Sequence, residues 1–416
     1  MASHTKNKTC LIIGASHGGV NAAFALRKNG WEGPIHIYDT DPALPYHRPP
    51  LSKGYLNGKD NIEQNILKAA DAYTQAEIEL HLGKTVRQIE PREQFIQLND
   101  GKKVAYDRLI LALGSRPLVP PIPELKNNQR VFTLRTAADA QAIRSAFAAS
   151  SQKRVAVIGG GYIGLETAAA LRQLGAEVKV LEREARLLSR VTSPEMAQFF
   201  RELHQSNGVE ILTKKEVSAI ESDQSGAKIT CSDQSVYLAE VIILGLGVRV
   251  NTELAAQARL TIDNGIQVNA QCQTNDPNIY AIGDCTSFYH PHYQQQIRLE
   301  SVQNALDQAR VAAANICGQM QNYTTIPWFW SDQYDIKLQI VGLSQGYTES
   351  IVRREHDSPA FSVWYFCGSE LLAVDAINNA RAYILGGKFI QSGKKIDQQK
   401  LADPEVPLKP AELILK

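Results

Sequence analysis

The sequence predicts an α/β chain in which two mononucleotide-type βαβ folds with parallel sheets are followed by a smaller α+β segment. Three observations predict it. A short apolar run closes on a glycine turn and enters a helical period over residues 9–28. The same order returns over residues 154–174. From about residue 326 the pattern changes to aromatic-rich, alternating runs.

Residues 9–13 form a strand-length apolar run ending in Gly14, after which Val20, Ala23, Phe24 and Leu26 recur at helical spacing. Residues 35–38 then read as a second buried strand that ends in the acidic pair Asp39 and Asp41. In the second unit the strand is 155–158, the glycine turn 159–164, the helix 165–174, and the next strand, 178–181, ends at Glu182. A further duplicated element supports two related halves: YDRLILALGSRP (106–117) and AEVIILGLGVRVN (239–251) are each a buried strand closing on glycine and followed by arginine. The proline-rich crossing at 117–123 suits a linker. Beyond 326, residues 361–366 and 371–375 read as adjacent antiparallel strands, followed by a helix around 380–388. The expected division is 1–116 with 250–325 as one discontinuous domain, 117–249 as a second, and 326–416 as a third.

Composition excludes several functions. A chain of 416 residues with 44% hydrophobic and 21% charged residues has ordinary globular composition and more length than one core serves. Lysine and arginine number 44 against 43 acidic residues, so no global field draws in nucleic acid or anionic lipid. No apolar run approaches the roughly 20 residues of a membrane helix, and a polar stretch, 1–8, runs directly into the first motif, so no secretory signal and a cytoplasmic location are expected. The six cysteines are scattered without CxxC or CxxxxC spacing, and no metal is expected. His290 and His292 of YHPHY lack a third ligand nearby, so a polar loop around Pro291 is the expectation.

Gly159, Gly161 and Gly164 form an unbroken GxGxxG between a strand and a helix, with Tyr162 and Ile163 inside it. The first glycine permits the turn, the second admits a pyrophosphate to the backbone N–H groups, and the third lets helix and strand close together. Glu182, about 20 residues on, is placed to bind an adenosine ribose and to favour NADH over NADPH; Arg183 and Arg186 keep the 2′-phosphate alternative open. The first motif, GASHGG, supplies Gly14, Gly18 and Gly19 but has Ser16 at the second glycine position, with His17 expected to face solvent. Serine is small enough to keep the phosphate approach open. TNDPNIYAIGD (274–284) strengthens this half by running a short strand into Gly283 and Asp284.

Together these residues resemble the FAD-containing ferredoxin reductases that serve cytochrome P450 and Rieske oxygenase systems. The resemblance spans nearly the whole chain and is carried by LPYHRPPLSK (44–53), TLRT (133–136), GGGYIGLE (159–166), RVTSP (190–194), YAIGDC (280–285), RLESVQNALDQAR (298–310) and PWFWSDQYD (327–335). It implies two Rossmann-like dinucleotide-binding domains, for FAD and NAD, plus a C-terminal α+β domain, in a glutathione-reductase-like architecture. It also implies that Asp284 binds the FAD ribityl chain, that Arg48, Arg135 and Val302 line the flavin site, and that Val86 contacts the adenine end. Where the family has an acid this chain has Thr40, so Asp39 and Asp41 are the alternatives for the FAD ribose. Lys53 is implied beside the flavin and paired with Glu166, Glu300 near the nicotinamide carboxamide, and Trp330 at the flavin and the electron exit. Arg310, with Lys337 and Lys388, is a candidate docking patch for an acidic [2Fe-2S] ferredoxin.

The segment 39–53 contains no cysteine, so the redox disulfide of related reductases has no place there and electrons are expected to leave from the flavin. The expected enzyme takes hydride from NADH onto FAD and passes single electrons to a [2Fe-2S] ferredoxin feeding a cytochrome P450 or Rieske oxygenase. A rubredoxin reductase, a monodehydroascorbate-type reductase and an apoptosis-inducing-factor-like NADH sensor are the alternatives. A monomer is expected, because electron-transfer encounters use small interfaces.

Overall fold

The computed structural model describes residues 5–122, 125, 128–356 and 358–415. These divide into two compact units: Met1–His47 with Ile62–Arg116 and Arg249–Pro327, and Arg48–Asn61 with Pro117–Val248 and Trp328–Lys416. Pro123 of the expected linker lies outside the described residues; Leu118 and Val119 before it are exposed.

The first unit is built on β1 (Cys10–Ile13), α1 (His17–Lys28), β2 (Ile35–Asp39) and β3 (Ile78–Leu82). Its five-stranded sheet has the order Ile279–Ala281, Arg108–Leu111, β1, β2, β3, and every pairing is parallel. β1 is buried at every position, as a strand covered on both faces must be. α1 packs along the helix Val302–Ile316. An antiparallel meander, Val86–Glu90, Phe95–Leu98 and Lys103–Ala105, precedes the strand Arg108–Leu111.

The second unit repeats this plan. Its parallel sheet runs Glu210–Thr213, Glu177–Glu182, Arg154–Ile158, Val241–Leu244, Val131–Thr133, so the duplicated segments 106–117 and 239–251 supply equivalent strands beside each central one. A second meander, Val217–Ser222, Ala227–Cys231 and Val236–Ala239, lays Ile220 and Ile229 on Ile158, Leu181 and Leu244 of the sheet. The C-terminal part is an antiparallel sheet ordered Trp328–Gln333, Ile336–Gly342, Glu370–Ile377, Phe361–Cys367, Glu349–Arg354, with the helix Ala380–Ser392 against it. The expected antiparallel pair is present in the register Trp364↔Val374. Its core is Phe361, Trp364, Tyr365 and Phe366, all 0–1% exposed, whereas Trp328 is 37% exposed and lies outside that core.

Within this second unit a carboxyl is sealed in the sheet. Asp375 is 1% exposed and accepts hydrogen bonds from Thr192 Oγ1 and Tyr365 Oη, each at 2.6 Å. Burial pushes its pKa up to about 6, against the pull of those two donors. The folded state therefore binds this proton more tightly than the unfolded chain, and the stabilisation is present at low pH and lost as pH rises from about 4 through about 6. The loss is worth roughly 3 kcal/mol. Asp375→Asn is expected to flatten that part of the pH profile, read as urea midpoints at pH values on either side of the window. An unchanged slope would remove Asp375 from the titration.

Candidate functional site

Both halves make their nucleotide turn in the same way. Gly14 and Gly159 each have φ of +110°, a region that L side chains avoid. A Cβ on Gly19 would come 1.8 Å from the Gly14 carbonyl oxygen, and one on Gly164 would come 2.2 Å from that of Gly159. The first and third glycines are thus packing requirements. The second is not: a Cβ on Gly161 meets nothing nearer than the Gly245 oxygen at 4.0 Å, which explains why Ser16 is tolerated at the matching place. Gly18 has room for a Cβ, at 3.4 Å from Ile282 Cδ1. These cradles, each opening a helix whose N-terminus favours an anion, fit the pyrophosphates of two dinucleotides.

The acids that close the second strands are equivalent as well. Glu182 accepts the Gly160 N–H at 2.6 Å through one oxygen and the Glu184 N–H at 2.8 Å through the other. Asp39 accepts the Ala15 N–H at 2.5 Å and the Asp41 N–H at 2.8 Å. Asp41 instead serves its own loop, accepting Ala43 N–H and Tyr46 Oη. Thr40 Oγ1 lies 3.2 Å from Thr85 Oγ1. Of the two alternatives, Asp39 repeats the bonding of Glu182 to the glycine turn and Asp41 does not. Arg183 is paired with Glu184, and the Arg186 guanidinium donates to the carbonyls of Thr192 and Ser189, so neither is held toward a 2′-phosphate.

Also in the first unit, Asp284 sits in the tight turn Gly283–Cys285 and accepts from Ser115 Oγ at 2.9 Å, while Gln308 Oε1 holds the turn through Gly283 N–H. Val302 opens the helix Val302–Ile316 behind its cap Ser301, and Val86 is buried at the start of its strand. Glu300 is exposed and ion-paired with Arg298. Arg310 is exposed and pairs with Asp307 at 3.0 Å. His17 departs from expectation: it is 6% exposed and its Nε2 lies 3.2 Å from His47 Nδ1, because it begins α1 and does not sit in an open turn. His290 likewise ends the strand Thr286–His290, fully buried against the Thr325 carbonyl, while the expected loop is the turn over 291–294, which contains His292.

In the second unit the PPLS turn and the nucleotide helix bring Lys53 to Glu166. Lys53 Nζ donates to Glu166 Oε2 at 2.6 Å, and Ser52 Oγ donates to the same oxygen at 2.5 Å. Ser331 Oγ donates to Oε1 at 2.7 Å. The Glu166 side chain is 2% exposed and that of Lys53 is 21%, so the ammonium reaches solvent while its counter-ion does not. Behind Ser331 the chain of bonds continues: Gln333 Nε2 donates to Ser331 Oγ at 3.2 Å, and His204 Nε2 lies 2.8 Å from Gln333 Oε1. Burial holds the His204 pKa below its usual value, so a neutral ring donating to Gln333 orients each donor toward Glu166. Arg48 Nη1 donates to the Arg135 carbonyl at 2.5 Å, tying the PPLS turn to the TLRT segment.

Alternation along Trp328–Gln333 explains why Ser331 reaches this cluster. Phe329, Ser331 and Gln333 share one face, with Phe329 5.0 Å from the Tyr162 ring, while Trp328 and Trp330 lie on the other, 5.6 Å apart. The Tyr162 hydroxyl is buried without a hydrogen-bond partner, and burial holds its pKa well above the usual phenol value. Ile163 is 49% exposed, and Lys337 and Lys388 are exposed. The sequence reading missed Ser52, Ser331, Gln333 and His204; period-two alternation was the available signal for Ser331 and Gln333, but nothing in the sequence says which helix that face meets.

Two glycine cradles, each with its acid, and a buried carboxylate holding a lysine are the equipment of an oxidoreductase that uses two dinucleotides. The chain belongs to the pyridine nucleotide-disulphide oxidoreductase family, whose pattern matches residues 8–309, and residues 328–412 match a reductase C-terminal segment. The family binds FAD and a nicotinamide dinucleotide. The chain is 42% identical over 410 residues to putidaredoxin reductase CamA of Pseudomonas putida, covering 97% of this chain and 96% of that one. It is 38% identical to the anthranilate 1,2-dioxygenase system ferredoxin–NAD(+) reductase component of Burkholderia cepacia, covering 96% and 98%. Among solved structures, the covalent putidaredoxin reductase–putidaredoxin complex superposes with a TM-score of 0.93 at 40% identity, covering 97% of each chain.

The family name includes a disulphide, but five of the six thiols here are held back from the thiolate form. All six cysteines are free, and burial raises the Cys285 thiol, next to Asp284, to about 11 and the half-buried Cys317 to about 11. Cys10, Cys231 and Cys272 are raised too. Thiols held above neutrality supply little thiolate, the form that attacks a disulfide.

Proposed function

We propose that this chain is an NADH-dependent ferredoxin reductase with FAD as its cofactor, feeding a cytochrome P450 or Rieske-type oxygenase through a [2Fe-2S] ferredoxin. The observation that carries this reading is the Lys53–Glu166 pair, held by Ser52 and Ser331, in a chain that has two nucleotide cradles and no reactive disulfide. FAD, when bound, would supply hydride acceptance from nicotinamide and release of single electrons.

The chain's own residues bind and orient. We assign the FAD pyrophosphate to the turn of Gly14, Ser16, Gly18 and Gly19, its ribose to Asp39 with Thr40 adjacent, and its ribityl chain to Asp284. Arg48, Arg135, Val86 and Val302 complete that assignment. Gly159, Gly161, Tyr162, Ile163 and Gly164 take the NADH pyrophosphate and Glu182 the ribose, with Glu300 near the carboxamide. Lys53 would hold positive charge beside the flavin ring, and Glu166 fixes the direction of its ammonium. Trp330 is assigned to the electron exit, and Arg310, Lys337 and Lys388 to docking of an acidic ferredoxin. The same reading divides the chain into an FAD domain (1–116 and 250–325), an NAD domain (117–249) and a C-terminal domain (326–416). It also places a monomer in the cytoplasm. Free buried thiols fit a reducing compartment.

The deciding experiment is anaerobic. NADH is added to the yellow protein, then a [2Fe-2S] ferredoxin, while both chromophores are followed. Flavin bleaching followed by catalytic ferredoxin reduction is expected; a reduced flavin that keeps its electrons against the ferredoxin would overturn the acceptor assignment. Cofactor choice has its own test. Glu182→Ala is expected to lower the NADH-to-NADPH efficiency ratio by about tenfold, the loss of one ribose contact of roughly 1.4 kcal/mol. An unchanged ratio would remove Glu182 from the ribose.

A further inference from the structure

We propose that His36, Glu79 and His81 form a binding site for a divalent transition-metal ion, zinc being the best match, on the outer face of β2 and β3. The parallel register sets His36 opposite Glu79 and Tyr38 opposite His81, so all four side chains project from the same face of the sheet. β3 is the edge strand, which leaves that face open to solvent at the rim.

Three ligand atoms converge there. His36 Nδ1 lies 3.1 Å from His81 Nε2 and 3.1 Å from Glu79 Oε2, and His81 Nε2 lies 3.6 Å from the same carboxylate oxygen. Around a tetrahedral zinc with ordinary nitrogen and oxygen bond lengths, ligand atoms lie about 3.3–3.4 Å apart. Every side of the observed triangle, at 3.1, 3.1 and 3.6 Å, comes close to that spacing. Hydrogen bonding alone satisfies it poorly, because a single proton on His36 Nδ1 cannot point fully at both neighbours. One cation in the middle satisfies all three lone pairs.

The donor set of two imidazoles and one carboxylate suits zinc and its borderline neighbours, and the fourth position faces water. The side chains are 20%, 30% and 67% exposed, so an ion has access without unfolding. Tyr38 stacks flat on the His81 ring at 4.4 Å and 9°, which fixes the ring's plane as an outer-shell partner does. Lys84 and Lys102 oppose a cation here, but Lys84 is paired with Asp100 at 3.2 Å, which offsets part of its charge. A bound ion would join β3 to β2, the strand that ends in Asp39.

Tag-free, FAD-loaded protein titrated with zinc chloride against a chromophoric chelator is expected to bind one equivalent. His36→Gln and His81→Gln are each expected to weaken that binding roughly tenfold or more. Cys367→Ser and His292→Gln, which alter other exposed or partly exposed donors, are expected to leave it intact. Flavin absorbance verifies that every variant is folded. With Co²⁺ in place of zinc, the intense visible bands of a tetrahedral ion should appear and be lost in His81→Gln. No bound equivalent, or binding unchanged in both histidine variants, would overturn the site.

Discussion

Lys53→Met is expected to slow flavin reduction by NADH on the order of 10²-fold and to lower stability by about 3 kcal/mol. Both effects follow from one asymmetry. Lys53 keeps contact with solvent, so it tolerates loss of its partner by rehydrating, whereas Glu166 is buried and has no such recourse. Removing the lysine leaves a buried carboxylate with two serine hydroxyls as its remaining donors, Ser52 and Ser331. Glu166→Gln, which retains shape and an acceptor while removing the charge, should cost less stability than Lys53→Met. The rate effect has a separate origin: on the proposed assignment the ammonium would contribute charge where it accumulates during reduction, and methionine has none. Stopped-flow bleaching at saturating NADH reads the chemical step, and urea midpoints read stability. Normal bleaching in Lys53→Met with a large stability loss would make the pair structural and would withdraw Lys53 from catalysis.

Much of this was legible in the residues because it depends on local backbone geometry. Both glycine turns, their flanking strands and helices, the acid at the end of each second strand and the duplicated strand 106–117 against 239–251 follow from short-range pattern and recur in the structure. What was not legible depends on contacts between distant segments. Ser331 and Gln333 lie inside the PWFWSDQYD motif, but the motif does not say what they touch, and their importance comes from the strand face that meets Glu166 and His204. The His36–Glu79–His81 triangle is invisible for the same reason: two residues of β3 and one of β2 meet only through a register between strands about forty residues apart. His17 was misread because a residue next to a turn was taken as part of it, when the helix begins there and turns the ring inward.

Gly19→Ala is expected to abolish FAD retention, while Ser16→Gly leaves it nearly unchanged. The contrast separates two reasons for a glycine that a motif lumps together. At Gly19 the added methyl would sit 1.8 Å from the Gly14 oxygen and 3.2 Å from Ile12 Cγ2, and neither is the movable end of a flexible side chain. Relief requires the start of α1 to lift from β1, which spoils the N–H cradle and opens the packing beneath it, so the cost runs to several kcal/mol. Gly164 stands in the same relation to Gly159, so Gly164→Ala is expected to fold poorly or lose NADH binding while FAD stays bound to the other half. At the second position the matching site, Gly161, has no neighbour within packing distance, so a side chain there is constrained only by the nucleotide. Serine meets that constraint by being small. The flavin content of the purified variants, read from the ratio of visible to ultraviolet absorbance, checks the ordering. A fully flavinylated Gly19→Ala protein would mean that the turn relaxes without cost and that its closeness to Gly14 is not what holds the cradle.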